Sequence, residues 1–339
     1  MPYTSPFMYF GNRRDKITLL LEKIAKQKPF TTFYDPFCGS GSITLAAMQI
    51  NAAQRYVMSD SYSPIIYAWQ WLYYNPDKLV KFYQKFVSEF QWKHTLSMQT
   101  AYYQKIKNEF NNLAIEDERT GLYFPFLINF AQGYELILEN NQFASALGQP
   151  KVEDTSIDIF EQRVKDIHNL LHKYQISIYA QHFEEALKLA NNDDLVCMDM
   201  PYPDLPDSPQ IYHRPETKIT FHNKALEMLR TLKEHSISVV AFYGAGKLNE
   251  RYFFAEDKLG LQHYVRLDGE EDVKFGFYLE HVYLSNDLQL TPAILPSNME
   301  FYKWLKILNY EECIQYLKQD IDNPLQRWIK PFHRLFEEQ

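Results

Sequence analysis

The stretch whose reading decides the fold is Phe30-Thr31-Thr32-Phe33-Tyr34-Asp35-Pro36-Phe37-Cys38-Gly39-Ser40-Gly41-Ser42-Ile43. Its first five residues are aromatic and β-branched, which is strand composition, and Ile43 to Ile50 have helical character. Between them lies a loop with two closely spaced glycines. Glycines there let a ligand approach the backbone, and the start of the next helix offers unpaired amides. Strand, glycine loop and helix together predict the first βα unit of a Rossmann-like sheet; a purely structural turn is the alternative. The loop lacks the Gly-Lys-Ser/Thr ending of a P-loop, and Gly244-Ala245-Gly246-Lys247 fails the same test because Leu248 comes next. It does not match Gly-x-Gly-x-x-Gly either.

Working outward, Tyr56 to Asp60 reads as a second strand that ends in an acid nineteen positions beyond Gly41. In dinucleotide folds an acid about twenty residues after the glycine loop accepts from ribose hydroxyls. A helix cap at a strand end is the other reading of Asp60. Upstream, Gly11-Asn12 is a turn signal, and apolar Ile17, Leu20, Leu21 and Ile24 share one helical face. Downstream, Gln175 to Ala180 alternates as a strand and runs into Gln181-His182-Phe183. Leu195-Val196-Cys197-Met198-Asp199 is an apolar run that ends in a carboxylate, and Met200, Pro201, Tyr202 and Pro203 come directly after it. Ligands in open α/β sheets sit at the carboxyl ends of strands, so Asp199 and Tyr202 arrive where chemistry is expected. The bland reading makes Asp199 a cap and Tyr202 a packed ring.

The 339 residues suffice for a large core and carry 35 basic against 43 acidic side chains, a net charge of −8. That balance counts against a protein that grips nucleic acid over its whole surface. Basic residues nevertheless cluster: Lys78, Lys81, Lys85, Lys93, Lys105 and Lys107 are interleaved with Trp92, Tyr102 and Tyr103, and Arg13, Arg14, Lys16, Lys23, Lys26 and Lys28 form a second group. A solvated helix face accounts for either cluster as well as a phosphate-binding face does. The three cysteines, Cys38, Cys197 and Cys313, stand far apart, so neither a disulfide framework nor a structural metal is expected. With no apolar run of membrane-spanning length and no secretory signal, a cytoplasmic protein with no membrane partner is expected.

The opening Pro6-Phe7-Met8-Tyr9-Phe10-Gly11-Asn12-Arg13, the Asp35-Pro36-Phe37-Cys38-Gly39-Ser40-Gly41 loop, Asp60, and Asp199-Met200-Pro201-Tyr202 resemble, in order and spacing, the Dam-like (D12 class) DNA adenine-N6 methyltransferases. Members of that family begin with a Tyr-x-Gly-Asn/Gly-Lys segment. They bind S-adenosylmethionine with Asp-Pro-Phe-x-Gly-x-Gly and carry Asp-Pro-Pro-Tyr on the catalytic strand. The likeness covers about residues 6 to 286. It implies a Rossmann-like S-adenosylmethionine-dependent methyltransferase fold with a mixed seven-stranded sheet and an inserted helical DNA-recognition domain. The implied boundaries are 1–63 and 176–286 for the catalytic domain, 64–175 for the insertion, and 287–339 for a helical extension. Apolar spacing at 301–317 and 328–336 suggests two helices there.

The same resemblance implies site residues. Tyr9, Gly11, Asn12, Arg13, Asp35, Pro36, Phe37, Gly39, Gly41, Asp60, His182 and Phe183 would hold the cofactor. Asp199, the main-chain carbonyl of Met200, Pro201 and Tyr202 would serve catalysis, with Tyr202 stacked on a flipped adenine. Asn129, Gly133 and Tyr134, in a segment like the family's Asn-Phe-x-Gly-x-Tyr-Arg hairpin, would meet double-stranded DNA. Tyr134 would be a wedge at the hairpin tip, with core packing as the alternative. A cognate restriction endonuclease is a further implied partner. Departures from the family pattern are His182 for an acid, Met200 for a proline, Glu135 for arginine and Arg13 for lysine. They motivate a rival expectation: a methyltransferase-fold protein that binds DNA or cofactor without turnover.

Overall fold

The structure, a computed structural model, describes residues 3–9, 14–200, 218–244, 261–268, 278–289 and 306–309. Gly11, Asn12, Arg13, Pro201, Tyr202 and the helix expected at 328–336 lie outside the described residues. The chain opens with α1 (Arg14–Ala25), β1 (Thr32–Asp35), α2 (Ser42–Gln49) and β2 (Arg55–Asp60). Next come α3 (Ser63–Tyr74), α4 (Pro76–Gln91), α5 (Leu96–Asn111), α6 (Thr120–Asn129), a hairpin of β3 (Leu138–Glu139) and β4 (Gln142–Phe143), α7 (Val152–Thr155) and α8 (Ile157–Leu171). The chain returns through β5 (Gln175–Ala180), α9 (Phe183–Ala186) and β6 (Leu195–Asp199). It continues with α10 (Lys218–Glu234), β7 (Ser238–Gly244), β8 (Gln262–Asp268), β9 (Tyr278–Leu284) and β10 (Lys306–Asn309).

The chain divides into two compact units within β6, the first containing residues up to Cys197. Its strands run in the order β6, β1, β2, β5, every pair parallel, with Tyr34 opposite both Val196 and Val57 and Val57 opposite Ser177. Every residue of β1 is buried, as a central parallel strand covered on both faces requires. At the amino end, buried Asp194 accepts the Thr32 N–H on Oδ1 at 2.9 Å and the Asn191 N–H on Oδ2 at 3.0 Å. Parallel pairing opens the carboxyl ends of the strands on one edge, where the glycine loop, Asp60 and His182 stand at the ends of β1, β2 and β5.

The helices between β2 and β5 belong to the same compact unit as these strands. Their starts are set locally: Asn75, Thr95 and Ser156 accept from the Lys78, Met98 and Ile159 amides and so cap α4, α5 and α8. Their interior is aromatic. Phe126 packs among Phe86, Phe90, Tyr103 and Phe130, and Tyr83 stacks on Phe160 with ring centroids 3.7 Å apart. Gly121 brings α6 against the backbone of α3, since a Cβ there would lie 2.4 Å from the Tyr67 carbonyl carbon.

In the second unit β7, β9, β8 and β10 are neighbours in that order, each pair antiparallel. The described sheet strands therefore number eight, four in each set, against the seven expected. The additional strand is β10, where the apolar spacing of 301–317 predicted a helix. Ile307 and Leu308 fit either period, and pairing of Lys306–Asn309 with Tyr264–Leu267 satisfies their backbone as a strand. Among the described residues no helix is long and apolar enough to cross a membrane.

Candidate active site

The loop after β1 is fastened at both ends. Asp35, fully buried, accepts from the Thr44 hydroxyl of α2 at 2.7 Å, and the Cys38 amide donates to the Ser59 carbonyl of β2 at 3.0 Å. The Gly41 amide turns back to the Cys38 carbonyl at 2.6 Å, and Gly41 starts α2 with φ +72°, a conformation that costs L residues with a Cβ. Gly39 is also left-handed, with φ +45°.

The loop's central clamp is Asp60. Its Oδ2 accepts the Gly39 N–H at 3.1 Å, and its Oδ1 accepts the Tyr62 N–H at 2.9 Å at the entry to α3. Asp60 thus ties the glycine loop to the entry of α3, two residues ahead of the helix cap Tyr62. Burial pushes the carboxyl up to about 6, although the Tyr62, Gly39 and Ser61 amides pull it down. Burial, then the negative charges of Asp60 and Asp35, raises the Cys38 thiol well above its usual range, so Cys38 is a packed thiol here.

The glycines also make room for aromatic rings of this chain. A Cβ on Gly41 would lie 2.5 Å from the Trp69 ring, and one on Gly39 would lie 3.3 Å from the Tyr9 ring. Trp69 also donates its indole N–H to the Gly39 carbonyl at 3.0 Å. Backbone approach at both positions is therefore to aromatic rings of this chain. Trp69 was not foreseen, because within α3 it reads as one more apolar residue beside Ile65, Ile66 and Leu72.

Phe37, half-buried in the loop, packs on Phe183 at 5.2 Å and on Phe221 of α10 at 6.0 Å, and Phe183 meets Phe221 at 5.7 Å. Phe221 was not foreseen as a member of this cluster. His182, immediately before α9, has Nδ1 2.9 Å from Glu184 Oε2 and its ring 4.4 Å from Phe183. Glu185 instead pairs with Lys188 at 2.6 Å. The Gln181 amide donates to the Asp60 carbonyl at 3.1 Å, so the ends of β5 and β2 are joined next to the loop.

These residues suit a nucleoside-bearing cofactor. Asp60 is partly exposed and its carboxylate, with about four acceptor sites, takes three backbone amides, which leaves capacity for a hydroxyl donor, while the half-buried Phe37 ring and His182 stand at neighbouring strand ends. Asp199 ends β6 half-buried and Met200 is 1% exposed.

Of the three residues expected at DNA, Gly133 is exposed, whereas Asn129 and Tyr134 are engaged within the chain. Asn129 is 0% exposed and cannot reach a duplex: its Oδ1 accepts the Met8 N–H at 2.8 Å and its Nδ2 donates to the Pro6 carbonyl at 2.9 Å. Tyr134 is not at a hairpin tip. It lies in a 3-10 turn, Gln132–Tyr134, with Gly133 at φ +65°, and its hydroxyl donates to Asp154 at 2.8 Å. Glu135 is half-buried and its carbonyl accepts from the Ser145 hydroxyl at 2.7 Å. The true hairpin tip is the exposed pair Asn140 and Asn141, with φ of 50° and 62°. Positive φ at both positions is the signature of a two-residue type I′ turn, which Asn tolerates, and that pair was the available signal. Asn111 grips the hairpin from α5, exchanging two 3.0 Å bonds with the Phe143 backbone. Four of the six clustered lysines are partly spent on internal contacts: Lys78 over Trp71, Lys93 over Tyr102, Lys105 with Glu109, and Lys107 on the Ala144 and Ser145 carbonyls.

The chain is 22% identical over 200 residues to the Type II methyltransferase M1.LlaDCHI of Lactococcus lactis subsp. cremoris, a match covering 58% of this chain and 65% of that relative's length. Residues 9–259 match the D12 class N6 adenine-specific DNA methyltransferase family, a span that includes the glycine loop, Asp60, the helical segment and the Asp199 strand end. The chain belongs to the D12 class N6 adenine-specific DNA methyltransferase family.

Proposed function

We propose that this chain transfers a methyl group from S-adenosylmethionine to N6 of an adenine flipped out of double-stranded DNA. The observation that carries the reading is the meeting of the ends of β1, β2 and β5 around Asp60, whose carboxylate holds the Gly39 amide beside Phe37 and His182. In this reading Asp60 accepts from the ribose hydroxyls, Phe37 and Phe183 flank the cofactor's adenine, and His182 Nε2 accepts from its amine. Tyr9, Asp35, Pro36, Gly39 and Gly41 shape the pocket's backbone, and Gly11, Asn12 and Arg13 complete it. When bound, the cofactor supplies an electrophilic methyl group.

Adenine N6 is a poor nucleophile because its lone pair is delocalised into the ring. Asp199 accepts one of its hydrogens and the main-chain carbonyl of Met200 the other, which favours a pyramidal nitrogen with a directed lone pair. Met200 in place of the family's proline keeps that carbonyl. Pro201 holds the turn, and Tyr202 stacks on the extruded base, worth about 1 to 3 kcal/mol.

The proposed organisation is a catalytic domain of 1–63 and 176–286, a DNA-recognition insertion of 64–175 and an extension of 287–339, acting in the cytoplasm. Within the insertion the exposed Asn140–Asn141 tip replaces Tyr134 as the element offered to the duplex, because Asn side chains can pair with adenine edges. The Type II name of the relative supports pairing with a restriction endonuclease. The test is incubation of the protein with labelled S-adenosylmethionine and unmethylated DNA. Label at adenine N6 that disappears in Asp199→Ala is expected. Binding of both ligands with no incorporation on any sequence would replace this reading with that of a binding protein.

A further inference from the structure

Asn129 lies in the helical segment but is bonded to the opening residues of the chain. It is 0% exposed at the end of α6, and its amide holds the Pro6–Met8 stretch from both directions, accepting the Met8 N–H at 2.8 Å and donating to the Pro6 carbonyl at 2.9 Å. The same Nδ2 lies 3.4 Å from the Tyr83 hydroxyl and 3.5 Å from the Asp154 carbonyl. Arg163 supports this segment as well, with one guanidinium nitrogen 3.6 Å from the Met8 sulfur and another 3.7 Å from Asp154 Oδ1.

What the clamped stretch carries is the cover of the glycine loop. Phe7, fully buried, packs edge-on against Trp69 with centroids 4.9 Å apart, and Trp69 holds the Gly39 carbonyl and fills the space beside Gly41. Tyr9, one residue beyond the clamped Met8, stands over Gly39. Both aromatic supports of the loop thus hang from backbone that a single buried amide fixes.

We propose that Asn129 is a positioning residue for the cofactor: by holding Pro6 and Met8 it keeps Tyr9 and Phe7 seated on the loop, and so sets affinity for S-adenosylmethionine rather than for DNA. The inference rests on the cofactor reading of the loop given above. A buried amide that satisfies a donor and an acceptor of an otherwise irregular segment is costly to remove, and the cost falls on the conformation of that segment. A residue whose place in the family motif suggests DNA contact therefore acts on the other ligand.

The experiment measures S-adenosylmethionine binding by calorimetry on the full chain without DNA, and steady-state kinetics with DNA. The variants are Asn129→Ser, Met8→Pro, Tyr9→Ala and the Asn129→Ser/Tyr9→Ala pair. Met8→Pro removes the donated N–H from the partner side while leaving Asn129 in place, so it decides the matter if Asn129→Ser does not fold. The expected result is a loss of cofactor affinity of about tenfold in Asn129→Ser and Met8→Pro. KM for DNA and kcat should stay within about twofold, and the pair should bind no more weakly than the worse single variant. Unchanged cofactor affinity in Met8→Pro, a rise confined to KM for DNA, or additive losses in the pair would each overturn the proposal. A wild-type chain that does not bind S-adenosylmethionine overturns the functional reading and this inference with it. Cofactor binding without adenine methylation overturns the functional reading alone.

Discussion

The Trp69 ring stands 2.5 Å from the point that a Cβ on Gly41 would occupy, while its indole N–H holds the neighbouring Gly39 carbonyl at 3.0 Å. The glycine loop is thus packed by an aromatic residue from α3 before any ligand arrives. Gly41→Ala would add a clash to a left-handed backbone, and a loss of about 2 to 4 kcal/mol in unfolding free energy is expected from strain and overpacking together. Urea denaturation measures it. Trp69→Leu in the Gly41→Ala background should recover the overpacking part but not the backbone part; a loss in Gly41→Ala below about 1 kcal/mol would mean the loop yields freely.

Asp60 sets a pH dependence. Burial raises its carboxyl from 3.8 to about 6, so the folded chain keeps a proton that the unfolded chain releases. Its contribution to stability therefore falls as pH rises from about 3.8 to about 6 and is constant above that window. Cofactor affinity runs the opposite way, because an ionised carboxylate is the stronger acceptor for hydroxyls. Calorimetric titration from about pH 5 to about pH 8 should show S-adenosylmethionine binding tighten through about 6 and then level, and Asp60→Asn should flatten the profile. A flat wild-type profile would remove Asp60 from the binding site.

The hairpin separates turn geometry from side-chain chemistry. Asn140→Gly with Asn141→Gly preserves a turn that needs positive φ at both positions while deleting both amides. The melting temperature should change by no more than a few degrees, and the gap in kcat/KM between preferred and non-preferred sites should shrink by about tenfold or more. If site preference survives intact, the tip does not read bases.

Asp199→Asn keeps size and shape but weakens the acceptor for the adenine amine. A fall in kcat on the order of 10² to 10³-fold is expected, with S-adenosylmethionine affinity within about twofold of wild type. Single-turnover methyl transfer distinguishes this from slow product release, and an unchanged transfer rate would move catalysis away from Asp199.

The parallel half of the sheet was legible because its strands announce themselves twice, by composition and by the residue type at which each one stops. Tyr56 to Asp60, Gln175 to Ala180 and Leu195 to Asp199 each end at or beside a polar or acidic residue, and the observed strands end there too. The antiparallel half was less so. Lys306–Asn309 has apolar neighbours compatible with either period, and only its pairing with β8 selects the strand. In the site, single-residue roles were misjudged where a polar side chain faces inward. Asn129 and Tyr134 were assigned to DNA from their place in a motif, yet one is bonded to Pro6 and Met8 and the other to Asp154, none of them adjacent in sequence. Nothing local encodes such partners. The hairpin tip was local in origin and went unread: Asn140-Asn141 is a turn dipeptide, but the strands beside it are two residues long and show no alternation.

Asp194, buried at the start of β6 and bonded to the Thr32 amide, acts as a ruler for this strand. A one-residue slip of β6 along β1 would carry that carboxylate past its amide and exchange the faces of every later side chain in the strand, Asp199 included. The anchor sits at the opposite end of the strand from Asp199, about 16 Å away at strand rise. A buried acid at one end of the strand thereby decides which side of the sheet the acid at its other end faces, and under the proposed mechanism a loss of activity on mutating Asp194 would be a loss of aim.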